Sequence, residues 1–423
     1  MYKKLVKNSI IFAIGNLGSK FIAILLLPLY TYYLTTTQYG VTDLIITTCS
    51  LFLPLISLSI YDGVLRFIMD KRYSNDEVLS IGILITSIGS ATILLIAGIL
   101  LFFHLKTYIY LGLILVILQA FQALFASYSR AAGYTINFAI NAILMAGTVA
   151  IFNVLFLVLL NMDIEGFVYS LVIANFVSII IFLVTLKIPA RISFSKVKRI
   201  NIRKMLLYSM PLIPNAFMWW IMNVSNRYFI TFFFNASMNG FFAVASKIPS
   251  LLNIVNSIFF QAWQMSAIEE YNSKEKNRFY SNVYLYYSNL MFIGCSVIIA
   301  FVKPLMMIIV AHSFYRSWKY VPFLLLAVLF SCFASFLATN YMASKNTSGV
   351  FKTSIYCGIL NTVLNLLFIP KLGAIGAGLS TMLSFLFLWL IRIYDTRKFV
   401  KMTFAWQNII GSLFLLYIQC LIL

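Results

Sequence analysis

Runs of about 20 predominantly apolar residues recur along almost the whole of this 423-residue chain. A helix needs about 20 such residues to cross the hydrocarbon core of a bilayer, which is roughly 30 Å thick. The composition agrees, because 62% of the residues are hydrophobic and only 10% are charged, whereas a soluble domain is about half apolar and about a quarter charged. The sequence therefore predicts an all-α protein that crosses a membrane many times.

Thirteen segments of the chain have the length and composition of such helices. They cover residues 9–34, 40–62, 78–103, 108–130, 137–160, 165–187, 205–234, 239–268, 280–302, 318–343, 349–370, 372–394 and 404–423.

The net charge of +20 is distributed according to this topology. With the N-terminus in the cytoplasm, 23 of the 31 Lys and Arg residues fall in cytoplasmic segments, five in external segments and three within apolar runs. Cytoplasmic loops of membrane proteins carry such an excess of Lys and Arg. The positive charge therefore predicts a cytoplasmic N-terminus, and it does not indicate a nucleic-acid partner.

The residues that usually perform catalysis or hold metals form no recognisable pattern here. The five cysteines lie within apolar runs at unrelated spacings, which is typical of small buried side chains rather than of a metal site. The sequence contains no glycine-rich phosphate loop and no paired carboxylates within its apolar runs. We therefore expect neither an enzyme nor a bound metal or cofactor.

A repeat at an offset of 200 residues divides the chain. The segment TYYLTTTQYGVTDLIITT (31–48) aligns with TFFFNASMNGFFAVASKI (231–248), and Gly40 then falls on Gly240. Each segment is a short polar turn between two long apolar runs. We interpret both glycines as residues of tight hairpins, because glycine adopts positive φ angles without steric cost.

This repeat predicts two lobes of six helices each, with the same orientation in the membrane. The lobes are residues 1–188 and 205–395, the basic linker between them is 189–204, and residues 396–423 form a C-terminal extension with a thirteenth helix. Parallel repeats of this kind are related by a pseudo-two-fold axis along the membrane normal, and the substrate site lies between them near mid-membrane. Duplication is typical of transporters; chance similarity among apolar helices is the alternative.

Several segments resemble the oligosaccharide flippases of the polysaccharide transporter type. In the first two helices these are Pro28, the Leu34–Tyr39–Gly40–Asp43 turn and the pair Gly63 and Arg66. KPLMMIIVAHSFYRSWKYVPFLLL (303–326) is similar to the external element after helix 9 of that family, and KLGAIGAGLST (371–381) is similar to its start of helix 12. The resemblance covers about residues 1 to 400. The family shares a superfamily with the multidrug and toxin extrusion antiporters and the lipid II flippases.

The resemblance implies a function, a substrate and a location. A member of this family moves a polyprenyl-diphosphate-linked oligosaccharide repeat unit from the inner to the outer leaflet of the bacterial cytoplasmic membrane, by alternating access, for surface polysaccharide assembly. The implied partners are that lipid-linked sugar, the bilayer, and the polymerase and glycosyltransferases of the same pathway. The coupling ion of such a transporter would be H⁺ or Na⁺, whose gradient would drive transport.

Three basic residues within the apolar runs are candidates for binding the diphosphate or acidic sugars. They are Lys20 in the first helix, Arg227 in the seventh and Lys247 in the eighth. A charge at the bilayer centre costs on the order of 3 kcal/mol or more, so ionisable residues there usually face a cavity or a partner. The alternatives are that Arg227 and Lys247 reach the outer head groups, and that Lys20 forms a buried ion pair.

Three further charged residues are candidates for gating or ion coupling. Asp43 follows the Gly40 turn, where it either pairs with a base or binds a cation at the outer mouth; the simpler alternative is favourable placement at a helix N-terminus. Asp62 and Arg66 lie four residues apart on one helix face and can pair. For these two, a stabilising pair at the inner surface is the alternative to a gate.

Uncharged residues complete the predicted cavity. Asn16 in the first helix and Asn223 and Asn226 in the seventh are candidate substrate-binding residues. Trp219, Trp220 and Trp263 are candidates for stacking on sugar rings, with ordinary packing as the alternative for each. Pro211 and Pro214 are expected to bend the seventh helix.

Two other functions fit a chain of this kind. A cation-coupled multidrug exporter would require intramembrane carboxylates to bind cationic drugs, and Asp43 is the candidate here. A membrane scaffold for polysaccharide enzymes would not require the charges at Lys20, Arg227 and Lys247.

Overall fold

A computed structural model describes residues 18, 22–70, 72–271, 273–344 and 348–423. The described residues form helices and the turns that connect them, and they include no strand. We number the helices in chain order. Their bounds are α1 Leu27–Tyr33, α2 Thr36–Ile56, α3 Ile60–Met69, α4 Asn75–Leu100, α5 Thr107–Ala131, α6 Thr135–Asn153, α7 Asp163–Thr185, α8 Arg199–Ser209, α9 Leu212–Val224, α10 Asn226–Phe233, α11 Ala236–Ala245, α12 Pro249–Glu270, α13 Lys276–Ala300, α14 Val302–Ile309, α15 Val321–Ala343, α16 Ser348–Leu372, α17 Ala374–Thr396 and α18 Trp406–Ile422.

The predicted all-α membrane architecture is confirmed. Among the described residues, ten helices are long and apolar enough to cross a membrane, and eleven if the bent pair α11 and α12 forms one span. The predicted thirteenth helix corresponds to α18, which has 17 residues. Its crossing of the membrane remains a prediction, because the length is at the short end of what a span requires.

Among the described residues, several of the predicted helices are interrupted. The segment 205–234 breaks at Met210–Pro211 and again at Ser225, and so becomes α8, α9 and α10. The segment 40–62 breaks between α2 and α3, where Leu58 and Ser59 adopt positive φ angles. The segment 239–268 bends by 43° between α11 and α12. Proline accounts for the first break, since Pro211 lacks the N–H that would continue the helix.

The chain divides into two compact units by its internal contacts. The first contains residues up to Leu34 together with Val41–Phe217, and the second contains Thr35–Gly40 together with Met218–Leu423. The boundary therefore falls inside α9 and not at the basic linker. A pseudo-two-fold relation between two lobes remains a prediction from the repeat.

The basic linker packs onto the first unit. The Glu77 carboxylate, in the first turn of α4, accepts hydrogen bonds from the backbone N–H of Lys198 (3.1 Å) and from Nδ2 of Asn201 (2.8 Å). Arg191 donates to the hydroxyls of Tyr128 (3.2 Å) and Tyr134 (2.8 Å). Burying polar groups is favourable only when their hydrogen bonds are made, and these four bonds therefore fix the linker in place.

Candidate functional site

A polar cavity of about 350 Å³ lies within the second unit. Six helices contribute to its wall, namely α9, α10, α11, α12, α15 and α17, together with the bend between α11 and α12. The described residues that line it are Trp219, Asn223, Asn226, Arg227, Phe242, Ser246, Pro249, Asn253, Asn256, Leu324, Ala327, Val328, Ser331, Cys332, Ser335, Thr381 and Phe385. The cavity has a volume at the low end of small-molecule sites, which measure about 300–1,000 Å³.

Arg227 is the cationic residue of this wall. It is the second residue of α10, directly after the helix break at Ser225, and its side chain is half-buried. The guanidinium donates to the backbone carbonyl of Asn223 (3.1 Å) and to the hydroxyl of Ser246 (3.3 Å), and it lies 5.9 Å from the centroid of the Phe242 ring. These contacts hold the guanidinium at the cavity wall, and a planar group with five N–H donors is suited to binding an anion.

Asn226 presents an acceptor at the same wall. The side chain is only 2% exposed, and its Nδ2 donates to Oγ1 of Thr381 on α17 at 3.2 Å. The Oδ1 atom accepts no hydrogen bond from any described residue. Buried polar atoms are nearly always satisfied in native proteins, and a ligand or a water molecule in the cavity would satisfy this one.

The helix α12 contributes further polar residues to the cavity wall, and these were not among the residues selected from the sequence. Asn253 and Asn256 lie three residues apart on α12 and both face the cavity. The Tyr287 hydroxyl donates to Oδ1 of Asn256 at 2.6 Å and fixes that amide. The signal was present in the sequence, since two asparagines at this spacing on an apolar helix share one face.

Of the three tryptophans, one lines the cavity. Trp219 belongs to its wall, whereas Trp220 packs against Tyr228 with ring centroids 5.4 Å apart. Trp263 is 3% exposed, stacks on Phe336 at 4.3 Å and donates from Nε1 to Oγ1 of Thr339 at 3.0 Å. Trp263 therefore matches the packing alternative, because its ring is buried in an aromatic cluster and does not line the cavity.

Not all of the remaining predicted binding residues line this cavity. Lys247 lies at the bend between α11 and α12, where its side chain is exposed and does not line the cavity. Asn223 does line it, with an exposed side chain whose Nδ2 donates to the Trp219 carbonyl at 2.9 Å. Lys20 and Asn16 lie outside the described residues. The structure thus brings Arg227, Asn223 and Asn226 together at one cavity.

The two repeated glycines meet in the second unit, and the hairpin interpretation of them is wrong. Neither has a positive φ angle, since Gly40 lies inside α2 and Gly240 inside α11. A Cβ added at Gly40 would lie 1.8 Å from the Ala236 carbonyl oxygen, and one added at Gly240 would lie 2.0 Å from that of Thr36. Glycine is required because two helix backbones approach closely. The two contacts are equivalent under the 200-residue offset, because Ala236 is the counterpart of Thr36 and Gly240 is the counterpart of Gly40.

The acidic candidates occupy the first unit. Asp43 is 8% exposed and lies well inside α2, whose first turn contains no acidic residue. Favourable placement at the helix N-terminus is therefore not its role, since that effect is confined to the first turn. Its function in gating or ion coupling remains a prediction.

Asp62 and Arg66 share α3 as expected, but the predicted pair is not formed. Among the described residues, no ion pair within 4 Å joins the two side chains. The positive charge of Arg130, on α5, influences the Asp62 carboxylate instead. The neighbouring helix therefore supplies the charge that acts on Asp62.

Comparison with known proteins identifies a family for this chain and solved structures of similar fold. A family model described as polysaccharide biosynthesis protein matches residues 5–264. No curated protein matches the chain. Among solved structures, the lipid II flippase MurJ in an inward closed conformation superposes with a TM-score of 0.72 at 14% identity, over 98% of this chain and 92% of that one.

Two further structures are similar in fold. An inward-facing multidrug resistance transporter of the MATE family has a TM-score of 0.69 at 13% identity, with 91% of this chain and 94% of that one covered. A transporter of the MOP superfamily from Pyrococcus furiosus, described as having a binding pocket of reverse polarity, has a TM-score of 0.63 at 13% identity, with 93% and 95% covered. At these identities the similarity establishes the fold, and the known functions belong to the other proteins.

Proposed function

We propose that this chain, which belongs to the polysaccharide biosynthesis protein family, carries a polyprenyl-diphosphate-linked oligosaccharide from the inner to the outer leaflet of the bacterial cytoplasmic membrane. The repeat unit would then enter a surface polysaccharide. The polymerase and glycosyltransferases of the same pathway would act before and after this step.

The observation that carries the proposal is the cavity around Arg227. A diphosphate and its sugars need a polar environment to pass the hydrocarbon core, while the polyprenyl tail stays in lipid. The guanidinium of Arg227 suits phosphate oxygens, because its planar fork donates two parallel hydrogen bonds. The amides of Asn226, Asn253 and Asn256 supply donors and acceptors for sugar hydroxyls.

Transport would follow alternating access, in which the cavity opens to one side of the membrane at a time. Lys20 and Lys247 would contact the diphosphate at other stages of the cycle, and Asn16 would contribute from the first helix. Asp43, with Asp62 and Arg66 at the other end of the same pair of helices, would open and close the path or bind a coupling H⁺ or Na⁺. The N-terminus would lie in the cytoplasm.

A multidrug exporter is the less favoured function. Such a protein binds cationic drugs and would place carboxylates at its cavity. The described residues that line this cavity include an arginine and no carboxylate. Its polarity therefore favours an anionic substrate.

Mass spectrometry of lipid extracts from a deletion strain tests the proposal, together with measurement of the surface polymer. Loss of the protein should cause a polyprenyl-diphosphate-linked oligosaccharide to accumulate while the surface polymer disappears. Unchanged lipid intermediates and a normal polymer would contradict the proposal. Increased sensitivity to cationic dyes without such accumulation would identify a drug exporter.

A further inference from the structure

A second cavity of about 780 Å³ lies on the second unit between the start of α16 and the end of α17. We propose that it binds an anionic phospholipid of the inner leaflet, with the phosphate between Lys352 and Lys398 and one acyl chain along Phe387 and Leu390. None of the described residues that line this groove lines the Arg227 cavity, and the proposal does not depend on what the protein transports.

The polar end of the groove has an excess of positive charge. Lys352 on α16 and Lys398, just after α17, both line it, and Asp395 is the carboxylate among the described lining residues. Nζ of Lys398 lies 2.7 Å from Oδ1 of Asp395, and the Tyr341 hydroxyl donates to Oδ2 of the same carboxylate at 2.5 Å. An ammonium has three donors, so Lys398 keeps N–H groups for a phosphate after pairing with Asp395.

Arg392 adds a third positive charge beneath this end. Its side chain is 1% exposed, and it donates to Oγ1 of Thr353 (3.2 Å), Oγ of Ser354 (3.2 Å) and the Ala334 carbonyl (2.9 Å). All three acceptors are uncharged, so its charge is not neutralised by them. Thr353 itself lines the groove.

The rest of the groove has the dimensions of a single leaflet. Phe387 lies eleven residues before Lys398, which corresponds to roughly 16 Å at 1.5 Å per residue, about half of the hydrocarbon thickness. Phe387 is 38% exposed and Leu390 is 46% exposed, and both form its apolar wall. Tyr394, 79% exposed, lies at the polar end, where tyrosines of membrane proteins meet the head groups.

Charge and shape together identify the occupant. Basic pockets between membrane helices on the cytoplasmic side bind anionic lipid head groups, and the positive-inside distribution assigns this end of α16 and α17 to the cytoplasm. A free phosphate would satisfy the lysines, but it would leave the apolar wall uncovered. A zwitterionic lipid would gain less from the two lysines, because its own ammonium would be repelled.

Native mass spectrometry of the full-length protein in neutral detergent tests this site with dioleoyl phosphatidylglycerol as the probe. The double variant Lys352→Gln/Lys398→Gln should retain roughly tenfold less of this lipid than the unmodified protein. Lys371→Gln is the matched control, because Lys371 is exposed at the opposite end of α16. It should leave lipid retention unchanged, and Lys352→Arg/Lys398→Arg should preserve it by keeping both charges.

Three results would overturn the proposal. Equal retention of phosphatidylglycerol by the double Gln variant would remove the two lysines from any lipid site. Equal retention of dioleoyl phosphatidylcholine would show that charge does not matter. Displacement of phosphatidylglycerol by glycerol phosphate at equal concentration would reassign the groove to free anions. The double Arg variant serves as a check on folding, because its charge is unchanged.

Discussion

Asn239 donates a hydrogen bond from Nδ2 to the backbone carbonyl of Gly40 over 3.0 Å, and so joins two segments 199 residues apart. Beside this bond, the hydroxyls of Thr36 and Ser237 lie 2.7 Å apart. The sequence repeat had aligned these two segments with each other, and in the structure they are in direct contact. The close approach depends on glycine at both repeat positions, which leads to a first prediction.

Substitution of either glycine by alanine should destabilise the protein. The new Cβ at Gly40 would overlap the Ala236 carbonyl oxygen, and backbone cannot move aside as a flexible side chain can. Overpacking of this kind costs about 1–3 kcal/mol. Thermal unfolding in detergent should show a lower midpoint for Gly40→Ala and for Gly240→Ala.

Gly147→Ala is the matched control for this prediction. Gly147 also lies within a helix, and a Cβ there would meet nothing within 4 Å. Its variant should unfold at the temperature of the unmodified protein or slightly above, because alanine favours a helix. Equal midpoints for all three alanine variants would refute the close-approach account of Gly40 and Gly240.

A disulfide between the two segments should stop transport. The Thr36 and Ser237 hydroxyls are close enough that Thr36→Cys/Ser237→Cys should oxidise to a disulfide. By the predicted topology both segments lie at the outer face, and under alternating access we expect them to separate when the cavity opens outward. Export of surface polymer should cease on oxidation and return on reduction. If the fully cross-linked protein still exports surface polymer, the two segments do not separate during transport. Each single-cysteine variant serves as the control.

Arg227→Ala should reduce surface polymer at least tenfold while the protein still reaches the membrane. A charged hydrogen bond to phosphate contributes about 1.5–3 kcal/mol, and the variant loses it. Arg227→Lys should retain part of the activity, because lysine keeps the charge but not the two-pronged geometry. Arg316→Ala, at an exposed arginine of the predicted outer face, is the control.

Replacing all three basic residues that were predicted from the sequence to bind substrate tests their role more stringently. The triple variant Lys20→Ala/Arg227→Ala/Lys247→Ala should abolish surface polymer. Normal polymer from this variant at normal membrane levels would remove the role of these charges, and it would favour a scaffold over a transporter.

Loss of the Glu77 carboxylate should release the basic linker. Glu77→Ala leaves the Lys198 N–H and the Asn201 amide without their acceptor, and an unsatisfied buried polar group costs about 1–3 kcal/mol. Trypsin should therefore cleave within residues 189–204 several times faster. Asp76→Asn, which removes the neighbouring charge, should be cleaved at the original rate. Identical cleavage of both variants would show that these bonds do not hold the linker.

The sequence predicts the helices well, because hydrophobic length is a strong signal when the solvent is lipid. It also selects Arg227, Asn223 and Asn226, since a charged or amide side chain in an apolar run is conspicuous. It misjudges Gly40 and Gly240, because a glycine that permits close helix contact and one that permits a positive φ angle are identical in sequence.

Other features depend on tertiary contacts that no local pattern reports. The direction of the Trp263 ring is set by Phe336, a residue 73 positions away, and the burial of Arg392 is set by α15 and α16. Asn253 and Asn256 could have been selected by their spacing. The expected pair of Asp62 with Arg66 is not formed among the described residues, and the positive charge that influences Asp62 is that of Arg130 on another helix.

Leaflet-resolved transport by the purified protein in proteoliposomes tests the central claim most directly. The substrate is the lipid-linked oligosaccharide recovered from the deletion strain, and the readout is the fraction of its sugars accessible to an external glycosidase. Vesicles with the unmodified protein should expose the substrate of the inner leaflet over time, whereas vesicles with Arg227→Ala should resemble empty ones. Exposure at the same rate with and without the protein would contradict the account.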